Sequence, residues 1–416
     1  MNNSYSIRFA SFAVLLFLSM SVLAVGNVCA GTVSASSNEK LTAEWKNVNA
    51  DRRESEPVKH YQESLSECSN YCGRIFEAEI RDRVIHGAVV MSGGVNGDVF
   101  SAAWGWADTA HTVPMTTKTV VDMASVTKVA AGVTAYLVAH AKGLVDFNLS
   151  FTNYLPEYSA LLLHRVTVND LVNHRSGFGE ADGPGKRVYY SDDVVKMIRN
   201  INVLPPAMPK KEYVAYSCRN YVLLGRMLEH IVGKGVDSFI EEEVFRPVGM
   251  SDSSLGTPVE GIANGRLSHS MGTERPGCIS DYVARPLWHA GIGTLNAGMF
   301  STAEDLARLM RTYLRGGVSD NGKRLFGAEE MKLIAPSTTV RIHGARSFGW
   351  QFADVNLPET LSGTSLFHSG WSGQTVLFDL KRRRYAIVLT TRCGDYKRAK
   401  RERFQVIEKL MLYSIK

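Results

Sequence analysis

The chain has 416 residues, of which 45% are hydrophobic and 21% are charged. This composition is typical of globular proteins and argues against a disordered or fibrous chain, and the length allows one large domain or two smaller ones. The formal net charge is +6, and ten basic but only two acidic residues fall between Lys381 and Arg403. Aromatic residues for base stacking are not interleaved with these basic runs, so the pattern favours a solvated charged surface over a nucleic-acid site.

Residues 1–30 have the pattern of a secretory signal peptide. Arg8 is the only charged residue, an apolar segment runs from Phe9 to Val25, and Val28-Cys29-Ala30 predicts cleavage after Ala30. Two alternatives are retention of the apolar segment as a membrane anchor, since its length is at the lower limit for a span, and lipidation of Cys29. We therefore expect an exported protein, periplasmic or secreted. Residues 31–63 are polar and predict a flexible lead-in.

Residues 64–416 are predicted to form the folded domain. An amphipathic helix from Ser64 to Arg83 is followed by strands at Ile85–Met91 and Val99–Trp106, which form a hairpin around a turn at Ser92–Asp98. A helix of small, apolar residues then starts near Ser125 and ends at the glycine stop Lys142-Gly143.

Helical patterns dominate the middle of the chain. The predicted helices span Asp193–Ile201, Arg219–Val232, Val236–Val244 and Phe300–Gly316, the last with a capping box at Ser301-Thr302-Ala303-Glu304. Near the end, strands at Thr375–Asp379 and Tyr385–Thr391 precede a basic helix that runs to Lys416. Strands at both ends with helices between them predict an α+β fold, in which an antiparallel sheet built from both termini is flanked by helices. A helical subdomain is inserted at about 143–290.

Motifs for nucleotides and metals are missing. The sequence has no P-loop and no Gly-x-Gly-x-x-Gly after a strand, and neither His-Glu-x-x-His nor a zinc-site spacing of Cys and His occurs. Five of the six cysteines would remain after signal cleavage, and an odd number at scattered positions is not a disulfide framework, although one long-range pair stays open. We expect no cofactor and no metal.

Ser125 and Lys128 lie three residues apart where the apolar helix starts. Such positions are neighbours on a helix, with Cβ atoms roughly 5–6 Å apart, so the lysine nitrogen reaches the serine oxygen. The helix N-terminus adds unpaired N–H groups. A serine needs a nearby base to become a nucleophile, and a lysine can serve if its surroundings lower its pKa. Ser-x-x-Lys also arises by chance, as Ser37-Asn38-Glu39-Lys40 shows, so the spacing alone does not decide.

Two later stretches give the Ser-x-x-Lys motif a context. Tyr216-Ser217-Cys218 precedes an amphipathic helix, and His368-Ser369-Gly370-Trp371 comes just before the strand Thr375–Asp379. With the three motifs in this order, the chain from about Ile85 to Arg392 resembles the serine β-lactamase and penicillin-binding-protein superfamily. It is most similar to the class C-like branch, which also holds D-alanyl-D-alanine carboxypeptidases and family VIII esterases. Secondary similarities lie at 171–177, 244–250, 298–307 and 348–350.

The resemblance implies a β-lactamase/transpeptidase-like fold and a role for each motif residue. Ser125 would be acylated, Lys128 would hold the hydroxyl and relay its proton, and Tyr216 would act with Lys128 as base and proton shuttle. Ser369 would bind the carboxylate or carbonyl side of the substrate. The oxyanion hole would consist of the N–H groups of Ser125 and Trp371.

Two positions depart from the family pattern. Cys218 stands where the family has an asparagine, and a thiol is a weak hydrogen-bonding partner. In His368-Ser369-Gly370, which matches the Lys-Thr-Gly triad, a histidine replaces the lysine and is largely neutral at pH 7, so carboxylate recognition should weaken. Tyr190-Ser191-Asp192 is a second Tyr-x-polar triplet that also suits a helix cap, and we expect His174 to hydrogen-bond within its own turn.

Taken together, these patterns predict an exported serine hydrolase that acts through an acyl-serine on amide or ester bonds. A D-alanyl-D-alanine carboxypeptidase or β-lactamase-like enzyme is the first expectation, with a small acyl or D-alanyl peptide of cell-wall type as substrate. The alternatives are a carboxylesterase or transesterase of the same fold, and a non-catalytic protein that binds penicillin or peptidoglycan. No nucleic acid is expected as a partner, and a membrane is expected only if the N-terminal segment is retained.

Overall fold

The computed structural model describes residues 62–63, 65–161, 163–178, 190–191, 193–203, 214–262, 264–336, 344–412 and 414–415. The predicted signal peptide and nearly all of the predicted lead-in lie outside the described residues, so both stay predictions. Within the described ranges, no helix has the length and apolarity that a membrane span requires.

A seven-stranded antiparallel sheet forms the centre of the molecule. Its strands are β1 Ile85–Gly94, β2 Gly97–Gly105, β3 Arg346–Ser347, β4 Trp350–Gln351, β5 Ser365–Ser369, β6 Gln374–Asp379 and β7 Arg384–Arg392. The order across the sheet is β2-β1-β7-β6-β5-β4-β3. Met91 in β1 pairs with Ile387 in β7, which joins the two ends of the chain and confirms the predicted sheet from both termini.

Both faces of this sheet are buried, and the strand alternation divides its side chains between two cores. Val89 and Met91 belong to the larger core, whereas Ala88 and Val90 belong to a smaller core on the opposite face. Helices cover both faces. Helices α1 (Leu65–Arg81) and α5 (Tyr396–Leu412) contribute Phe76 and Phe404 to the smaller core, and α4 (Ala303–Leu314) contributes Tyr313 to the larger one.

The middle of the chain is helical, as predicted. It contains helices α2 (Thr134–Ala141) and α3 (Cys218–Val232). Further α-helices span Val168–Val172, Val194–Val203, Val236–Ile240, Arg246–Val248, Ala284–His289 and Ala328–Ile334, with a π-helical segment at Glu241–Phe245. Short 3₁₀ helices span Phe151–Asn153, Pro156–Leu161, Leu163–Arg165 and Asn264–Arg266.

Three predicted elements have different bounds in the structure. The hairpin turn contains only residues 95–96 because β1 continues to Gly94. Met299–Ser301 is a strand between Val121–Asp122 and Ser254–Leu255, so the helix starts later and is capped by Thr302, which accepts a hydrogen bond from the Asp305 N–H. The C-terminal helix ends at Leu412, and Ser414–Ile415 pairs in parallel with Gln62–Glu63.

Candidate active site

The candidate site lies where the β5–β6 hairpin meets the turn that contains Ser125. Gly370 makes this approach possible, because a Cβ on it would lie 2.9 Å from the Met123 carbonyl oxygen and 3.3 Å from the Ala124 Cβ. The Gly370 N–H donates to the Gln374 carbonyl at 2.8 Å and closes the hairpin. A glycine at position 370 is therefore needed to bring the His368-Ser369-Gly370-Trp371 motif against the turn that contains Ser125.

The turn around Ser125 is not the regular α-helix that the sequence predicted. Residues Ala124–Val126 form a 3₁₀ turn and Lys128–Val133 a π-helical segment, and α2 starts only at Thr134. Ala124 has a φ of +43°, a conformation that costs a non-glycine residue energy and that is found preferentially at functional sites. The spacing of Ser125 and Lys128 still brings them together, but not by α-helical geometry.

A buried carboxylate holds this strained turn. Asp122 accepts a hydrogen bond from the Ala124 N–H at 3.1 Å and one from the Ser280 N–H at 2.9 Å. Burial raises the pKa of Asp122, although these hydrogen bonds oppose that shift. Sequence reasoning missed Asp122, since its partner Ser280 lies far away along the chain.

Ser125, Lys128 and Tyr216 meet at one point. The Lys128 Nζ lies 3.0 Å from the Ser125 Oγ, and the Tyr216 hydroxyl donates to the same oxygen at 2.8 Å. Tyr216 reaches this position because α3 starts just after it, with Ser217 as the cap and Gly233 at the end with a φ of +66°. The competing tyrosine, Tyr190, instead lies against the Tyr282 ring at 4.9 Å.

Lys128 is buried with an acceptor for each of its three N–H groups. Besides Ser125, it donates to the Asn296 carbonyl at 2.7 Å and to the Cys218 sulfur at 3.4 Å. Burial alone would lower the pKa of Lys128, but Cys218 and Tyr216 raise it, and the net pKa is above the ordinary value. A lowered pKa, the condition under which a lysine alone could act as the base, is therefore not met, and Lys128 is an ammonium at neutral pH.

Burial also raises the pKa of Tyr216, against the opposing effect of Lys128. Two interacting groups of this kind titrate as a pair rather than independently. At neutral pH the pair holds a phenol and an ammonium, and both donate to the Ser125 oxygen.

His174 fixes the backbone beside Tyr216. Its Nδ1 lies 3.1 Å from both the Ser217 N–H and the Asn220 side-chain amide, and its ring centre lies 4.6 Å from that of Tyr216. A backbone N–H can only donate, so Nδ1 is the acceptor and Nε2 carries the proton. Burial lowers the pKa of His174 well below its ordinary value. The predicted bond within its own turn is thus replaced by contacts to the start of α3.

The residues of the third motif point in different directions. His368 is 2% exposed, and its ring centre lies 6.4 Å from that of Tyr216. Burial, assisted by Arg346 and Lys128, lowers the pKa of His368 well below its ordinary value, so it is neutral. The Ser369 hydroxyl instead lies 3.0 Å from that of Thr375, and no hydrogen bond joins it to the Ser125 cluster in the described part of the chain. Trp371 is 44% exposed, and the Arg392 guanidinium lies over its ring at 4.3 Å.

Sequence reasoning also missed Arg346. This residue lies on the edge strand β3, and the carbon of its guanidinium is 5.5 Å from the centre of the Tyr216 ring. No motif marks an isolated arginine in a loop-rich segment, and only the pairing of β3 with β4 brings it to Tyr216.

Metal and disulfide features can be stated for the described residues only. No group of three His, Cys, Asp or Glu side chains in these ranges is placed to hold a metal ion. Among the described cysteines, Cys278 and Cys393 are free thiols.

An antiparallel sheet between two helical layers, with Ser125, Lys128 and Tyr216 meeting beside its β5–β6 hairpin, is the β-lactamase/transpeptidase-like fold. Comparison with known proteins agrees. The family model described as Beta-lactamase matches residues 73–410, and the chain belongs to the β-lactamase family.

The individual relatives described next are 18% to 26% identical to this chain. A protein of Escherichia coli K12 named "Putative D-alanyl-D-alanine carboxypeptidase" is 26% identical over 320 residues, which cover 68% of this chain and 72% of that protein. A penicillin-binding-protein homologue from Caulobacter crescentus is similar in structure, with a TM-score of 0.65 at 18% identity over 84% of this chain and all of that one. A family VIII carboxylesterase has a TM-score of 0.64 at 19% identity and covers 85% of this chain and all of that one. At these identities the structural likeness shows the fold alone.

Proposed function

We propose that the protein is a serine hydrolase that cleaves D-alanyl peptides through an acyl-serine, in the manner of a D-alanyl-D-alanine carboxypeptidase. The observation that carries this proposal is the placement of Ser125 between two groups that can take and return its proton, Lys128 at 3.0 Å and Tyr216 at 2.8 Å. A nucleophile with a base in hydrogen-bond reach, oriented by further groups, is the general signature of covalent catalysis.

The reaction starts when the phenol–ammonium pair of Tyr216 and Lys128 loses one proton. The Ser125 oxygen then attacks the carbonyl carbon, and its proton passes to the pair. The same proton moves to the leaving nitrogen, the carbon–nitrogen bond breaks, and the acyl group stays on Ser125. Water then attacks the ester, gives its proton to the pair, and Ser125 regains a proton as the acid leaves.

Tyr216 carries a negative charge during these reaction steps, and Lys128 stabilises it. Its ammonium lies 5.0 Å from the centre of the Tyr216 ring and is held by three acceptors, so it does not need to reorient during the reaction. The oxyanion of the tetrahedral intermediate would be bound by the N–H groups of Ser125 and Trp371. The close approach of Gly370 to Met123 supports this arrangement, because it brings the segment that carries the Trp371 N–H to the Ser125 turn.

A carboxylesterase of the same fold is the second candidate. Two observations favour it: His368 is neutral, and Cys218 offers no amide to a peptide substrate. An alcohol is also a better leaving group than an amine, so a site with fewer substrate contacts can still cleave esters.

One experiment separates these functions. The purified protein is incubated with a labelled penicillin, with an acetylated peptide ending in D-Ala-D-Ala and with a p-nitrophenyl ester, and adducts and products are measured by mass spectrometry. We expect D-alanine release and a penicillin adduct, both absent in Ser125→Ala. Fast ester cleavage without D-alanine release would establish the esterase. An adduct that persists in Ser125→Ala would refute Ser125 as the nucleophile, and binding without any turnover would indicate a non-catalytic penicillin- or peptidoglycan-binding protein.

We also propose that the protein acts outside the cytoplasm, where a cell-wall peptide would be its substrate. This proposal rests on the predicted signal peptide at residues 1–30. Cell fractionation and N-terminal sequencing test it, with a mature chain starting at Gly31 as the expected result and a cytoplasmic full-length chain as the contrary one.

A further inference from the structure

In the described part of the chain, four basic side chains lie around the Tyr216 ring, and they differ in charge and in free hydrogen-bonding capacity. Lys128 uses all three of its N–H groups on Ser125, Asn296 and Cys218. His174 and His368 are neutral, because burial lowers the pKa of each well below the ordinary value. Arg346 is the fourth: unlike the two histidines it is charged, and unlike Lys128 it is incompletely bound.

Among the described residues, the hydrogen bonds of Arg346 leave most of its guanidinium unused. Its Nη1 donates to the Gly349 carbonyl at 3.1 Å, while its buried Nε has no acceptor within the described residues. An arginine has five N–H donors in a planar fork. The guanidinium of Arg346 therefore presents unused donors beside the Tyr216 ring.

Half-buried Arg346 also has no ion-pair partner among the described residues, whereas the buried Arg311 is paired with Asp98 and Asp320. Asp354, whose charge raises the pKa of Arg346, is itself bound by Lys400 at 2.7 Å. Removing a cation from water without a counter-ion is costly, and the Tyr216 ring at 5.5 Å offsets only part of this cost.

We propose that Arg346 binds the free carboxylate of the substrate and thereby selects acyl donors that carry one close to the scissile carbonyl, as the C-terminus of a peptide does. This inference rests on the proposed function and deepens it. A guanidinium and a carboxylate match in geometry and form two parallel, charge-assisted hydrogen bonds. The Tyr216 ring joins the two parts of the site, since its hydroxyl contacts Ser125 and its face contacts Arg346.

The test compares one substrate in two forms that differ only in charge: an acetylated peptide ending in D-Ala-D-Ala, and the same peptide as its C-terminal carboxamide. Release of D-alanine or of D-alaninamide gives kcat/KM for each form. We expect wild type to prefer the acid and Arg346→Met to lose about 10- to 100-fold of this preference, with Arg346→Lys in between because it keeps the charge but not the fork. Arg81→Met removes a cation whose side chain is 73% exposed and should leave the preference as in wild type.

The other outcomes of this comparison would refute the inference. The same fractional loss on both substrates in Arg346→Met would show that Arg346 acts through Tyr216 or through folding and would overturn the inference, as would an unchanged preference. Because both substrates are measured on the same protein sample, partial unfolding cannot imitate a change in their ratio.

A binding experiment separates failure of this inference from failure of the proposed function. Ser125→Ala cannot be acylated, so calorimetry with the acid and with the carboxamide measures recognition alone. Tighter binding of the acid that disappears in Ser125→Ala/Arg346→Met supports the inference even if wild type releases no D-alanine. Equal binding of the two forms, or no binding of either, refutes it.

Discussion

Replacing Gly370 with alanine tests whether the close approach of the hairpin to the Ser125 turn controls catalysis. The new Cβ would lie 2.4 Å from the Gln374 Oε1, at the far end of a side chain, and 2.9 Å from the Met123 carbonyl oxygen, which belongs to the backbone. That carbonyl is held by the Val126 N–H at 2.9 Å. An ordinary contact needs about 3.5 Å, so hairpin and turn must separate by roughly 0.5 Å.

A displacement of this size matters more for catalysis than for folding. Active-site groups must be placed to within about 0.5 Å, and misplacement by about 1 Å can cost 10²-fold in rate. We therefore expect Gly370→Ala to lower kcat by about 10- to 100-fold, whereas overpacking costs about 1–3 kcal/mol of stability, which a domain of this size tolerates.

The assay is hydrolysis of the p-nitrophenyl ester, with the acylation step followed by mass spectrometry and folding followed by thermal denaturation. Gly265→Ala is the matched control, because a Cβ there meets nothing within 4 Å. If folded Gly370→Ala keeps kcat within about two-fold of wild type, the spacing between Gly370 and Met123 does not control the reaction.

Three further predictions follow from the charge state and packing of the structure. Burial raises the pKa of Tyr216, and the groups facing Lys128 raise the pKa of Lys128 despite its burial, so the reactive deprotonated pair becomes more abundant with rising pH. We therefore expect kcat/KM to increase from pH 6 to 9. A plateau below pH 7 would contradict this prediction. Burial raises the pKa of Glu79 to about 8 from an ordinary 4.5, so stability present below about pH 4.5 is lost as the pH rises through 8. The free energy of unfolding of Glu79→Gln, measured by denaturation, should exceed that of wild type at pH 9 but not at pH 4, by up to about 5 kcal/mol at about 1.4 kcal/mol per pKa unit, whereas exposed Glu77→Gln should match wild type at both. His174→Leu leaves two buried donors without an acceptor, so we expect the variant to be about 2–4 kcal/mol less stable in a denaturation experiment. We also expect a lower kcat in ester hydrolysis. A fully active variant would show that His174 does not position Tyr216.

The parts of the fold that the sequence predicts are those with a local signal. Runs of apolar and β-branched residues mark β1 and β7, and Ser217 and Gly233 mark the two ends of α3. The order of the three motifs then brought Ser125, Lys128 and Tyr216 into one hypothesis, and the structure places these three side chains in contact.

The parts that the sequence did not predict depend on contacts between distant residues. The strand Met299–Ser301 interrupts a good helical pattern because it is held between two other short strands. The turn before Ser125 is held by Asp122, which accepts hydrogen bonds from both Ala124 and Ser280. A local pattern carries no information about such partners.

The two positions that depart from the family pattern have different consequences in the structure. Cys218 still accepts a hydrogen bond from Lys128 at 3.4 Å, so the ammonium keeps three acceptors and the replacement of an asparagine costs the lysine little. What the thiol cannot supply is an amide N–H for a substrate carbonyl. His368 similarly keeps its place beside Tyr216 but carries no charge. Under the proposed function, both changes would leave the proton-transfer groups intact and weaken substrate binding, so specificity would come from another residue. Arg346 is the charged group beside Tyr216 that keeps unused donors among the described residues.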